Sequence, residues 1–416
     1  MSNRLNQDRL NIGTYVLQPY ARTEQHIKDL SEAGIDFVVD IREDRPTFDL
    51  FEKYGVGAFV SRVVPGWGCD PNYNGKMAEI NTMDRYEAGA ANFVDHPAIW
   101  GICVGDEPSA EDFPYYGKVI NKVKQLFPNQ HVNLNLFPNY AFNPKSHDPK
   151  ELEKLLGAPS YEKYIEQYCR YVSTDYICYD NYPFVDVPDV MKRVSIYYEN
   201  LRIVAEACLR TGRSLWIVPQ VNSGHPAMWT TENNLRFQAY AAMAFGAETI
   251  IWGCYTAGWW WNQVVDKDGN KTEQYEKLKK INAEIRTIGE EYMRFRRVST
   301  HFVGFANKAD MEFVKQEPID SLYTGVFLDV KTDNGAPIVV GEMVSRTDRE
   351  TKALMICAAD DPLERDNKEY NVTFEVREGK KITAIGGNGK KPVIRMDDGS
   401  YAVSIVSNEG VLMIAE

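Results

Sequence analysis

No stretch of this 416-residue chain is apolar over the ~18–20 residues that a bilayer-spanning helix requires. Positive charge is also short. Forty-seven Lys and Arg face 59 Asp and Glu, a net charge of -12, which argues against nucleic acid and against anionic membrane surfaces as partners. The six histidines are scattered without the i, i+4 spacing of a helical metal pair, and no calcium-loop signature occurs. No metal and no cofactor is therefore expected. The seven cysteines are odd in number and dispersed; Cys103, Cys178 and Cys254 lie inside apolar runs and read as small core residues, not as a disulfide framework. Glycine is absent between Tyr15 and Tyr20, after the first apolar run, which removes the phosphate turn of a dinucleotide fold. The first ten residues are polar and lack an apolar h-region, so no signal peptide is expected in the sequence as it stands. A periplasmic or extracellular location is expected only if a leader has been removed, and a cytoplasmic one otherwise.

What is present is an ordinary soluble composition, 44% hydrophobic and 25% charged, arranged in a regular order. Up to about Arg296, short apolar runs alternate with amphipathic stretches. The runs are Ile12–Leu17, Phe37–Ile41, Ala58–Val63, Trp100–Val104, Val132–Phe137, Tyr176–Tyr179, Leu215–Pro219 and Thr249–Gly253. The clearest helical stretches between them are Thr23–Ala33, Met83–Val94, Tyr115–Leu126, Tyr161–Val172, Val190–Thr211, Glu232–Phe245 and Glu273–Phe295, with Phe48–Tyr54 the poorest. Gly34, Gly55, Gly212 and Gly246 sit where helices should end. Eight strands and about eight helices predict a (β/α)8 TIM barrel over residues 1–296. From 297 to 416 the texture changes to short runs with partial period-2 alternation, separated by turns such as Asp333-Asn334-Gly335. That pattern predicts a small all-β sandwich, an accessory domain to the barrel.

The stretch Ile99–Pro108 organises the functional reading. An apolar run ends at Gly105, two carboxylates follow, and Pro108 stops the ladder. Asp106 and Glu107 are thus expected at the carboxyl end of a barrel strand, where such folds place their chemistry. Strand alternation predicts that only one of the two faces the centre. The other strand ends supply Tyr15; Asp40, Arg42 and Glu43; Trp67; Asn135 and Asn139; Asp180 and Tyr182; Gln220, Asn222 and His225; and Trp252, Tyr255 and Trp259-Trp260-Trp261. This set is carboxylates, amides and aromatic faces. Carboxylates act on glycosidic bonds, amides and acids bind hydroxyls, and tryptophan faces suit sugar rings. The expected partner is therefore a carbohydrate.

The segment Gly105-Asp106-Glu107-Pro108 resembles the fourth-strand motif of clan A glycoside hydrolases. That resemblance implies that Glu107, the carboxylate before the proline, is the acid/base. The block from Leu215 to Tyr255, with Trp216-Ile217-Val218-Pro219-Gln220, Arg236-Phe237-Gln238-Ala239-Tyr240 and Ala244-Phe245-Gly246-Ala247, is similar to glycosidases of polysaccharide-degrading gut Bacteroidetes. Such proteins often carry a β-rich accessory tail. One departure stands out: retaining members of the clan place a glutamate nucleophile at the end of strand seven, where this chain has Gln220. Asp180 is the favoured second carboxylate, with Asp40 and Glu43 as rivals. Glu232 reads as a helix-start acid. Tyr15, Asp40, Arg42, Trp67, Asp106, Asn139, Tyr182, Gln220, His225, Trp252, Tyr255 and Trp259 are expected to contact substrate, although Tyr15 and Trp252 fit core packing too. Two other readings stay open: a carbohydrate-binding protein without a complete catalytic pair, and a lyase or transglycosylase.

Overall fold

The computed structural model describes residues 5, 8–42, 44–66, 70–140, 149–184, 190–307, 311–363 and 366–416. Eight parallel strands close into a barrel in chain order: β1 (Asn11–Tyr15), β2 (Phe37–Arg42), β3 (Gly57–Ser61), β4 (Ile99–Asp106), β5 (His131–Leu136), β6 (Tyr176–Asn181), β7 (Ser214–Pro219) and β8 (Ala247–Trp252). β8 pairs back onto β1, with Ile12 opposite Ile250. This is the expected TIM barrel, and each apolar run of the sequence falls on one of its strands. The runs are apolar because both faces are covered: all residues of β3 and β6 are buried. Helices follow the strands and are closed by their own side chains. Thr231, for example, caps the helix Glu232–Ala244 through a reciprocal box with Asn234. Gly55 ends the helix Arg45–Tyr54 at a φ of 70°, which a side chain would resist.

The lower half of the barrel is filled with rings. Tyr176 and Trp216 stack at 3.6 Å, and Phe37 lies 5.1 Å from Phe59 and 6.0 Å from Trp216. These rings fill the barrel below the carboxyl ends of its strands. Among the described residues, no helix is long and apolar enough to cross a membrane.

The β-rich part begins with β9 (Phe295–Val303) and continues through β10 (Phe327–Thr332), β11 (Ile338–Ser345), β12 (Lys352–Ala358), β13 (Glu369–Val376), β14 (Ile382–Gly386), β15 (Gly389–Lys391), β16 (Ile394–Arg395), β17 (Tyr401–Val406) and β18 (Gly410–Ala415). Two antiparallel sheets form, one in the order β10-β13-β17-β16 and one in the order β15-β14-β18-β12-β11-β9. Between them lies one core, with Phe327, Phe374, Val403 and Ile405 packed with Leu354, Ile356, Val411 and Met413. The other face of the six-stranded sheet carries Met343, Met355, Cys357, Leu412 and Ile414, and these belong to the same apolar cluster as the barrel helices. Two glycines allow this approach. A Cβ at Gly341 would lie 2.2 Å from the Ala244 carbonyl oxygen, and one at Gly410 would lie 2.3 Å from the Tyr240 ring.

Candidate active site

A cleft of about 790 Å³ opens at the carboxyl ends of the strands. Its acids come one from each of three even-numbered strands: Asp40 on β2, Asp106 on β4 and Asp180 on β6, with Glu107 beside Asp106. Alternate strands of such a barrel contribute to a common layer, which explains why acids so distant in sequence meet.

Local backbone geometry aims them. β4 bulges between Cys103 and Gly105, and β2 between Val39 and Ile41. Asp40 and Glu107 then take left-handed conformations, with φ of 55° and 47°. A left-handed residue breaks strand alternation, so Asp106 and Glu107 both line the cleft. The expectation that only one of them could do so is corrected by that φ. Val16 and Arg62, at the ends of β1 and β3, are also left-handed, at 60° and 66°. Each such residue costs roughly 1–2 kcal/mol, and Val16, being β-branched, is the least suited to it. Strain of this kind concentrates around functional sites.

Asn135 on β5 ties the acids together. Its Nδ2 donates to Asp106 Oδ1 at 3.0 Å and to Asp180 Oδ1 at 2.7 Å. Burial, joined by the negative charge of Asp106, pushes the Asp180 carboxyl up to about 7; hydrogen bonds from Asn135 and with the Glu107 carboxyl hold it lower than it would otherwise be. Burial, with Asp40 adding to it, raises Asp106 to about 6. The Glu107 backbone N–H donates to the Asn135 carbonyl at 2.8 Å, which fixes the residue on the rim. Asp180 is buried, while Glu107 is half-buried and the more accessible of the two.

Aromatic side chains form the opposite wall. Trp259 and Trp260 line the cleft, and Tyr182 meets Trp260 edge-on at 5.2 Å. Their loop is held by a two-way backbone pairing of Trp261 with Ser223, at 2.8 and 3.0 Å. Asn262 reinforces it by donating to the Met228 carbonyl. Cys103 and Cys254 also line the cleft, and burial pushes both thiols up, away from reactive thiolate. The described cysteines are free, in keeping with the core role expected for Cys178.

Of the residues singled out in the sequence, Tyr15, Asp40, Asp106, Glu107, Asn135, Asp180, Tyr182, Trp259 and Trp260 come together in this cleft. The others do not. Arg42 is exposed and outside the lining, because the bulge at Asp40 turns it outward. Asn139 donates to the Ile196 carbonyl at 3.0 Å and so anchors the helix Val190–Thr211. Gln220 is fully buried: its Oε1 accepts from Phe184 N–H and its Nε2 donates to the Asn222 carbonyl, so its amide is spent on the backbone. His225 lies in an exposed loop, its Nδ1 accepting from Ala227 N–H. Trp252 faces the helices and donates to Asn282 at 2.8 Å, and Tyr255 is buried in the same core. Glu232 is indeed in the first turn of a helix, paired with Arg236 and Lys280. Trp67 and Glu43 lie outside the described residues. Strand-end reading missed Ser61, Arg62 and Arg85 in the lining; the signal available for them was position alone, immediately after β3 and on the helix Met83–Ala91.

No protein-family model matches the sequence, and no curated protein matches it. Solved structures do. One described as a glycoside hydrolase aligns with a TM-score of 0.52 and 10% identity, covering 98% of this chain and 92% of that one. The endo-β-1,4-mannanase of Thermotoga petrophila aligns at 0.47 and 10% identity, over 97% and 93%. A family 51 α-L-arabinofuranosidase from Bifidobacterium longum aligns at 0.43 and 12%, over 98% and 96%. The first of these extends the likeness of fold through the barrel and the β-rich tail together.

Proposed function

We propose that this protein is a glycoside hydrolase acting on an oligo- or polysaccharide, with Glu107 as general acid. The observation that carries the reading is the Glu107–Asp180 carboxyl pair, braced by Asn135, in a cleft whose other wall is tryptophan and tyrosine. A glycosidic oxygen leaves only when protonated, and a proton donor at neutral pH needs a carboxyl held above its ordinary range. Asp180, hydrogen-bonded with Glu107, is a carboxyl of that kind, raised to about 7 by burial and by the charge of Asp106. Glu107, the more accessible member, delivers the proton to the leaving oxygen, and Asp180 is the second carboxylate, keeping the proton on the pair.

Retaining pairs stand about 5–5.5 Å apart and inverting pairs about 6.5–9.5 Å. Glu107 and Asp180 are hydrogen-bonded partners, an arrangement that favours a shared proton over a pair acting from opposite faces of a sugar. Asp40, on β2, also lines the cleft, and we assign it the role of activating water or attacking the anomeric carbon. Gln220 is excluded from that role, being an amide whose groups are all engaged. The deciding experiment is release of product from a panel of aryl glycosides and polysaccharides by the wild type and by Glu107→Gln. Hydrolysis that survives the substitution would remove Glu107 from the chemistry. Binding of glycans by the wild type without any product would favour the carbohydrate-binding reading, for which the amide at the end of β7 is the supporting observation.

A further inference from the structure

The wall of the cleft that follows β3 differs in chemistry from the rest. Ser61, Arg62 and Arg85 line it. Arg62 is exposed at the rim and has neither a hydrogen bond nor an ion pair among the described residues. Its backbone is held left-handed, at a φ of 66°, which costs stability and is not repaid by any contact of its side chain within the described residues. Arg85 uses one nitrogen, Nη1, on the Ile80 carbonyl and on Asn81 Oδ1 at 3.2 Å; it forms no ion pair among the described residues, though its charge acts on the exposed carboxyl of Asp84 beside it. The hydroxyl of Ser61 is buried and lacks a hydrogen-bond partner there too.

This is unusual within a chain of net charge -12. Arg236 and Arg286 show the common arrangement, each against a carboxylate at 2.7 and 2.5 Å. Neither cleft arginine is among the groups that act on the Asp106 carboxyl. The segment carrying Arg85 is nevertheless firmly placed. The Asp112 carboxylate accepts from the backbone N–H of Gly75 and of Met77, both at 3.0 Å, and Tyr115 donates to the Asn81 carbonyl.

Two guanidinium groups that form no ion pair among the described residues, on one wall of a sugar-sized cleft, are suited to an anion with planar or tetrahedral oxygens. We propose that the cleft takes an acidic glycan, whose carboxylate or sulfate group is held by Arg62 and Arg85 while the sugar ring lies between the tryptophan wall and the acids. The proposal rests on reading this cleft as the sugar site. The substituent orients the chain: an anion is repelled by Asp40 and Asp106 and drawn to the β3 wall, so only one direction of the glycan fits.

The test separates this inference from the hydrolase reading. Binding is measured with Glu107→Gln on an array of uronate oligosaccharides, their methyl esters, sulfated galacto-oligosaccharides and their desulfated forms. Hydrolysis of the same glycans is measured with the wild type. The expected result is binding of a charged form and not its neutral counterpart, weakened roughly ten- to hundredfold by Arg62→Gln or Arg85→Gln. Arg62→Lys should recover part of the loss. Charge pairs that differ by a carboxylate or by a sulfate tell which anion is recognised. Equal binding of charged and neutral forms, binding of neutral forms alone, or no binding of any glycan would each overturn the proposal. Cleavage of a neutral glycan, undisturbed by either arginine substitution, would overturn it and leave the hydrolase reading standing. Arginine-dependent binding of an acidic glycan that is never cleaved would do the reverse.

Discussion

Asn135 Nδ2 lies 2.7 Å from Asp180 Oδ1 and donates a hydrogen bond to it. That bond favours the ionised carboxylate, and the one from the same nitrogen to Asp106 does likewise. Without it, burial and mutual repulsion act on both acids unopposed. Asn135→Leu is therefore expected to raise both carboxyls further and to move the pH dependence of kcat/KM for glycan hydrolysis toward higher pH. A profile that keeps its position while its height falls would assign Asn135 a packing role only.

Glu107→Gln is expected to lower kcat by about 10²–10⁴-fold, with an unchanged circular dichroism spectrum and little change in Tm. Glu107→Gly is expected to be equally inactive but more stable, because glycine accepts a φ of 47° without the roughly 1–2 kcal/mol that a side chain costs there. Thermal unfolding of the two variants side by side measures that difference. A Glu107→Gly protein less stable than Glu107→Gln would mean that the side chain, not the backbone, stabilises the turn.

Stability should depend on pH through Asp180. Its carboxyl is raised in the folded protein from the ordinary 3.8 to about 7, so the folded state binds more protons than the unfolded one between those values. Stability then falls as pH rises through that interval. Asp180→Asn removes the penalty and keeps an acceptor for Asn135. Its Tm is expected to exceed that of the wild type at pH 8, by a few degrees, with the gap closing near pH 4. Equal Tm values at pH 8 would show that Asp180 ionises at little cost.

Gly410→Val is expected to destabilise the whole protein by about 1–3 kcal/mol, since its side chain would enter the Tyr240 ring. The loss should appear in denaturant unfolding as a shift of the single midpoint. An unchanged midpoint would show that the sheet can stand off from the helix without consequence.

The barrel was legible because its strands are buried on both faces and so read as continuous apolar runs. The same property concealed β18. Gly410–Ala415 is buried at every position, lies between β14 and β12, and shows none of the alternation by which the tail strands were sought. Within the site, the acids were legible from their place after apolar runs. Direction was not. Trp252, Gln220 and Asn139 stand at strand ends as Asp180 does, but point to the helices or to the backbone of neighbouring segments. Position along a strand does not say which way its last residue turns, least of all where Asp40, Arg62 and Glu107 leave the β region altogether. Arg62 escaped notice for that reason.

The six-stranded sheet is covered over most of both faces: one side closes the sandwich and the other completes the coat of the barrel. Accessory modules tethered by linkers can be exchanged between enzymes by recombination, since each folds independently. Here a genetic cut near residue 295 would strip the cover from the helix Glu232–Ala244, whose residues from Leu235 to Ala244 are mostly buried. The tail is thus bound to inherit the history of its barrel, and the two halves of the chain are expected to diverge together.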